Sequence, residues 1–265
     1  MGFRYTSKEY KEKTVIEVGD VKIGEGFIFI AGPCSVESME QMEEVVDQLI
    51  EIGIDILRGG AFKPRTSPYT FQGLGEEGIK ILRKIRERYG IPIVSEILDI
   101  RQLEKYGEDL DIIQVGARNM YNYPFLKELG KIDRPILLKR GLSATLDEWL
   151  YAAEYIMSNG NEDVILCERG IRTFVKHSRF TLDIAAVPSL RERTHLPIIV
   201  DVSHPAGRRN LVIPLAKASA CIGPDGLMVE VHPDPDNALS DSKQQITPDM
   251  YRELVSEVRR CLLKS

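Results

Sequence analysis

The stretch GGAFKPRTSP, residues 59–68, sets Lys63, Arg65, Thr66 and Ser67 around Pro64 and Pro68 directly after an apolar run. Proline fixes φ and donates no backbone hydrogen bond, so this segment is neither helix nor central strand but a stiff loop. Cations and hydroxyls held rigid in a loop suit an anion, although the same residues alone also make an ordinary solvated turn. Further cations recur at the ends of short apolar runs: Arg58, Arg118, Lys139, Arg140 and Arg169. A second group has a different chemistry. Cys34, His204, Glu230 and Asp241 offer a thiol, an imidazole and two carboxylates, a donor mixture suited to Mn²⁺, Fe²⁺, Co²⁺ or Zn²⁺ rather than Mg²⁺ or Ca²⁺. Each of these residues also has a structural explanation. Cys34 can be a small buried apolar group, His204 a cap within SHPAG, and the cations partners of Glu96 and Glu168.

What decides between these readings is whether the chain brings the residues together. Eight nearly continuous apolar runs, at 27–32, 55–59, 91–96, 111–116, 135–140, 163–168, 197–203 and 226–231, read as parallel strands buried on both faces. Helical periodicity fills 39–53, 78–90, 146–160 and 248–263, with Gly53, Gly90 and Gly160 as stops and Thr247-Pro248-Asp249 as a start. This alternation predicts a (β/α)8 TIM barrel, an α/β fold, forming one catalytic domain over 1–265. Residues 1–26 form an N-terminal extension in which 14–26 alternate around Gly19-Asp20, a hairpin expected to cover the barrel floor.

In such a barrel chemistry belongs at the C-terminal ends of the strands. Closure sets the last strand beside the first, so Cys34, His204, Glu230 and Asp241 should meet there. Arg58, Lys63, Arg118, Lys139 and Arg169 should converge on the rest of the rim, where they would repel one another without an anionic guest. GLGEEG, at 73–78, matches a dinucleotide fingerprint in letters only. It follows no strand directly, and Glu76 and Glu77 stand where a pyrophosphate would lie. His177 and His195 are expected at the surface or as caps, Cys167, Cys221 and Cys261 as packing residues, and Trp149 in the core or an interface.

Composition narrows the function classes. A net charge of −5 argues against nucleic acid or an acidic membrane as partner. No apolar run approaches the ~20 residues of a membrane span. The N-terminus has no apolar core for a signal peptide. The four cysteines lack CxxC spacing, so a reduced, cytoplasmic chain is expected.

Together the motifs AGPCSVES, LRGGAFKPRTSP, SEILD, QVGARNM, LLKRG, CERG, TLDIAAVP, DVSHPAGRR and EVHPDPDNALSD resemble the class I 3-deoxy-D-arabino-heptulosonate 7-phosphate (DAHP) synthases. The resemblance covers essentially the whole chain and is to a short, unregulated, type Iβ-like form, related to the 3-deoxy-D-manno-octulosonate 8-phosphate synthases. It implies a transferase that condenses phosphoenolpyruvate with D-erythrose 4-phosphate and water, opening the shikimate route to aromatic amino acids. It further implies a homo-oligomer, tetramer or dimer, with one divalent metal ion per subunit on Cys34, His204, Glu230 and Asp241. Carried over by motif, phosphoenolpyruvate falls to Arg58, Lys63, Ala117, Arg118, Lys139 and Arg169. Erythrose 4-phosphate falls to Lys63, Pro64, Arg65, Thr66, Ser67 and Asp241. Lys139 is then the expected proton donor, because surrounding cations ease release of its proton. Glu96 is the group that handles the attacking water, and Cys34 and His204 serve catalysis through the metal. KPRTS in place of KANRS favours the four-carbon aldose over D-arabinose 5-phosphate, the substrate of the alternative reading. No appended regulatory segment is recognisable, so feedback inhibition is not expected. A Schiff-base aldolase using Lys139 and a non-catalytic phosphate binder are the competing classes.

Overall fold

The chain opens with a hairpin, β1 (Ile16–Val18) and β2 (Val21–Ile23), paired antiparallel across Gly19–Asp20. The computed structural model describes residues 2–263; Met1, Lys264 and Ser265, the outermost residues of the domain expected over 1–265, lie outside the described residues. All eight apolar runs then become strands: β3 (Ile28–Gly32), β4 (Ile56–Arg58), β5 (Ile93–Glu96), β6 (Ile112–Val115), β7 (Ile136–Lys139), β8 (Val164–Glu168), β9 (Ile198–Asp201) and β10 (Gly226–Glu230). They close into a parallel barrel in chain order. The seam is β10 against β3, from Gly226 opposite Ile28 to Glu230 opposite Gly32. On its other edge β10 pairs with β9, so the strands ending near Cys34, His204 and Glu230 are neighbours.

Alternate residues of the strands point inward, and Ile30, Ile56, Val94, Ile112, Leu137, Ile165, Ile199 and Met228 fill the barrel. Ile16, Val18 and Ile23 of the hairpin join that same cluster, so the hairpin closes the floor. Cys167 packs there as expected, its thiol pushed up to about 12 by burial. The outward-pointing residues form a second, larger core under the helices.

Helices α1 (Met39–Ile52), α2 (Glu76–Tyr89), α5 (Leu146–Met157) and α9 (Pro248–Leu262) match the expected periodic segments. Ser38 caps α1, a Thr145–Glu148 capping box starts α5, and Thr247 caps α9. The others, α3 (Ile100–Tyr106), α4 (Tyr123–Leu129), α6 (Ala186–Arg191), α7 (Ser203–Ala206) and α8 (Val212–Ala220), are too short for a clear period. The glycines of GLGEEG answer to packing. Gly73 has φ +92, and a Cβ there would lie 2.1 Å from the Ala61 carbonyl oxygen, while Glu76 pairs with Lys105 on the outer surface.

Two expectations need correction. His195 is neither a surface nor a capping group: it is 4% exposed. Its Nδ1 lies 2.7 Å from Thr14 Oγ1 and its Nε2 2.7 Å from the Tyr5 carbonyl oxygen, pinning the N-terminal segment to the barrel. Glu154 holds the same segment by accepting from the backbone N–H groups of Arg4, Tyr5 and Thr6. Cys221, expected to pack, is exposed at the end of α8. Trp149 is fully buried, its indole N–H donating to the Leu138 carbonyl.

Candidate active site

Where β3 ends, the Cys34 N–H donates to Gln245 Oε1 (2.9 Å) and its Sγ lies 3.5 Å from Asp241 Oδ2. Ligand atoms of Cys34, Glu230 and Asp241 all lie within 4.8 Å of one another. His204, the fourth expected ligand, stands beside this trio rather than inside it. Its Nε2 is 3.7 Å from Glu230 Oε1, and its Nδ1 is 2.7 Å from Asp201 Oδ2. Burial lowers the pKa of His204 despite the two carboxylates. The Asp201 carboxylate accepts from Nδ1–H, which leaves Nε2 with its lone pair toward Glu230.

Glu230 accepts from Arg58 (2.7 Å) and from the Gln244 amide (2.5 Å). Burial alone would raise its pKa, but His204, Arg58 and Lys63 outweigh burial and hold it well below the usual carboxylate range. Asp241 has φ +47, a left-handed conformation rare outside glycine and held here by its surroundings. Its carboxylate meets Arg65 at 3.5 Å and Arg179 at 3.4 Å. Burial first, then Glu230, pushes the Cys34 thiol up to about 12. Two ionised carboxylates converging on a thiol that only a cation would deprotonate fit a borderline divalent metal.

A cavity of about 160 Å³ opens beside this cluster, and its walls include Arg58, Lys63, Arg118, Lys139 and Arg169. How each cation is neutralised separates them. Arg58 is bound to Glu230, and Lys139 donates to Asp201 at 2.5 Å, so its nearest neighbour is a carboxylate rather than another cation. Arg140 turns away to Glu168 (2.9 Å) and Asp183 (2.7 Å), a structural cluster completed by the Gly170 N–H donating to Glu168. The Lys63 ammonium donates to the Cys34 carbonyl (2.8 Å). Arg169 lies over the Phe180 ring, 4.2 Å from its centroid, and burial lowers its pKa. Among the described residues, neither these two nor Arg118 has a carboxylate within ion-pair distance.

Glu96 forms part of the same wall. Burial raises its pKa against the pull of Lys63 and Lys139, and the Gln114 amide donates to it at 3.3 Å. Gly116 makes room for it: a Cβ there would fall 2.0 Å from Glu96 Oε1. Ala117 and Arg118 reach the cavity from a short 3-10 turn, and Pro64, Arg65 and Thr66 reach it from the stiff loop. Ser67 is not among the lining residues; its Oγ accepts from the Tyr69 N–H within its own turn. His232 also lies outside, accepting from the Asp234 N–H and facing Glu37.

Sequence reasoning passed over Asp201, Arg179, Phe180, Gln244 and Gln245. Asp201 carried a usable signal, since a carboxylate ending a run as apolar as PIIV is buried only with a partner. The two glutamines and Arg179 sit in loops whose path no local pattern dictates.

Comparison with known proteins adds an independent line. The profile of the DAHP synthetase I family matches residues 8–263. The chain is 53% identical over 260 residues to the phospho-2-dehydro-3-deoxyheptonate aldolase of Thermotoga maritima, covering 97% of this chain and 77% of that protein. It is 31% identical to the 2-dehydro-3-deoxyphosphooctonate aldolase of Syntrophotalea carbinolica, covering 92% of this chain and 94% of the other. The crystal structure of the Thermotoga maritima DAHP synthase superposes with a TM-score of 0.94 at 52% identity, over 97% of this chain and 76% of that one. A truncated form of 3-deoxy-D-arabino-heptulosonate 7-phosphate synthase from Thermotoga maritima gives 0.91 at 49%, over 97% and 95%. With the barrel, the order of its motifs and these matches in agreement, the chain belongs to the DAHP synthetase I family.

Proposed function

We propose that the chain condenses phosphoenolpyruvate with D-erythrose 4-phosphate and water, giving 3-deoxy-D-arabino-heptulosonate 7-phosphate and inorganic phosphate. One observation carries the reading: Lys63, Arg118 and Arg169 line one cavity without carboxylate partners among the described residues, beside a thiol–carboxylate cluster suited to a metal. Identity of 53% to the Thermotoga maritima aldolase supports the same reaction.

In this assignment Cys34, His204, Glu230 and Asp241 hold one divalent ion, of Mn, Fe, Co or Zn. When bound, such an ion supplies a Lewis acid that polarises a carbonyl oxygen. Lys63, Arg118 and Arg169 take the phosphate and carboxylate of phosphoenolpyruvate, joined by Arg58, Lys139 and the backbone of Ala117. Arg65 and Thr66 take the aldose phosphate, with Pro64 fixing their distance from Lys63 and Ser67 shaping the turn behind them. Asp241, released from Arg65, faces the aldose. Carbon 3 of the enol attacks the aldehyde carbon, and Lys139 gives the new alkoxide its proton while Asp201 keeps the ammonium in place. Glu96 orients the water that adds to carbon 2 and accepts its proton. The carbon–oxygen bond to phosphate then breaks.

Residues 1–265 act in this reading as one catalytic unit in the cytoplasm, assembled as a dimer or tetramer. Tyr69 and Phe174, 95% and 93% exposed, support assembly. No helix among the described residues is long and apolar enough to cross a membrane. Light scattering that finds an active monomer would remove the oligomer.

The test of the reaction is phosphate release from phosphoenolpyruvate with erythrose 4-phosphate or arabinose 5-phosphate, each with and without EDTA. Chelator-sensitive release favouring the four-carbon sugar is expected. Preference for the five-carbon sugar would overturn the reading of the 63–67 loop, and release untouched by prolonged chelation would overturn the metal.

A further inference from the structure

Far from the rim, on the outside of the barrel, α8 and α9 pack against each other in matched register. Lys217 of α8 is paired with Glu257 of α9 at 2.5 Å. One helical turn further along each helix, at the same offset, stand Cys221 and Cys261. Each helix follows a parallel barrel strand, so the two run in the same direction and the two cysteines stand at the next rung. Burial first, then the neighbouring Cys261 thiol, raises the pKa of Cys221. Cys221 is exposed and Cys261 partly so, whereas Cys34 and Cys167 are buried. Each helix follows a strand's C-terminal end and leads back toward the floor, so this rung lies at the end of the barrel opposite the cavity.

We propose that Cys221 and Cys261 are an oxidation site, closed to an intramolecular disulfide by small disulfide oxidants such as oxidised glutathione. The Cys221 thiolate attacks one sulfur of the oxidant, forming a mixed disulfide and releasing one glutathione thiolate. The Cys261 thiolate then attacks the Cys221 sulfur, forming the protein disulfide and releasing the second. Two protein thiols are oxidised, one oxidant disulfide is reduced to two thiols, and the two protein protons leave with the glutathiones. The product joins the last helix to its neighbour across a long loop, which restricts the unfolded chain more than the folded one. The rung is solvent-accessible and remote from the site chemistry, so the modification acts on stability.

Native, metal-loaded protein is incubated with oxidised glutathione, and the non-reduced tryptic peptides are mapped by mass spectrometry. A peptide joining residues 221 and 261 is expected, with loss of two titratable thiols per chain, unchanged turnover and a melting temperature higher by about 4 °C or more. Cys261→Ser should instead stop at a stable glutathione adduct on Cys221, and Cys221→Ser should leave the melting temperature unmoved by the oxidant. A lasting glutathione adduct on Cys221 of the unmutated chain would overturn the proposal. So would cross-linking between chains, or loss of Cys34 before either surface thiol.

Discussion

At the floor of the barrel the strands begin among Ile16, Val18 and Ile23 of the hairpin, and apolar contact closes the space. At the rim the same strands end in Arg58, Lys139, Glu168, Asp201 and Glu230, ionisable groups buried as completely as the floor, and in half-buried Glu96. The floor gains from every methyl it removes from water. The rim loses on every charge it desolvates and recovers the loss only where a partner of opposite sign sits within reach. Arg58, Lys139 and Arg140 have that partner; among the described residues buried Arg169 and half-buried Lys63 do not, nor does Arg118, which is exposed to water. The contrast teaches where to look for function in a barrel. Charge alone marks the rim, but the unmatched charge marks the part of it reserved for a guest.

The sharpest test of matched charge is Asp201→Asn. It leaves Lys139 buried without its carboxylate and His204 without its anchor. Urea denaturation should show a loss of about 3–5 kcal/mol. Metal titration should show affinity weaker by roughly 10–100-fold. A loss under about 1 kcal/mol would mean that rim pairs are not mutually dependent. Arg169→Met tests unmatched charge and should lower kcat/KM by about 100-fold, near 3 kcal/mol, since a charged hydrogen-bond donor to the substrate is gone. Because it strands no carboxylate, its melting temperature should hold or rise. A melting temperature that falls along with activity would place Arg169 among the structural cations.

At the floor, Ile23→Val should cost about 1 kcal/mol of stability with turnover intact. A change in turnover there would show that the two ends are mechanically coupled. The smallest effect is expected from pH, through His195. Burial lowers its pKa, so the folded chain resists a proton that the unfolded chain takes up near 6.5. Its contribution is complete above about pH 6.5 and is lost as pH falls toward its lowered value. Melting curves from pH 8 to 5 should fall less steeply for His195→Gln than for the unmutated chain; parallel curves would remove His195 from the account.

The barrel was legible because parallel strands buried on both faces leave continuous apolar runs, and all eight were found within a residue or two of their ends. The short helices were not, because seven residues or fewer in α3, α4, α6 and α7, and nine in α8, hold too little of a helical period to stand out. Ionisable strand ends located the rim, and chain closure predicted that Cys34, His204, Glu230 and Asp241 would meet; three of them do, and His204 stands beside the trio. The pairing of the cations was not legible. Nothing in the runs around Arg140 and Arg169, nearly adjacent in barrel height, says that one folds back onto Glu168 while the other faces the cavity. His195 misled for a related reason. Its partners Thr14 and Tyr5 lie far off in sequence, and only the path of the N-terminal segment brings them to it.

The seam between β10 and β3 has a consequence in time as well as in space. Cys34 and Asp241 are 207 residues apart in the chain, and Arg58 and Glu230 are 172 apart. Contacts between such distant residues carry a large loop-closure entropy and form late, after shorter-range strand pairs are in place. The corner proposed for the metal is therefore expected to be among the last features a refolding chain assembles and among the first that an opening barrel loses. Regain of metal affinity should lag behind the strand signal in refolding, which makes the ion a reporter of the final closing step.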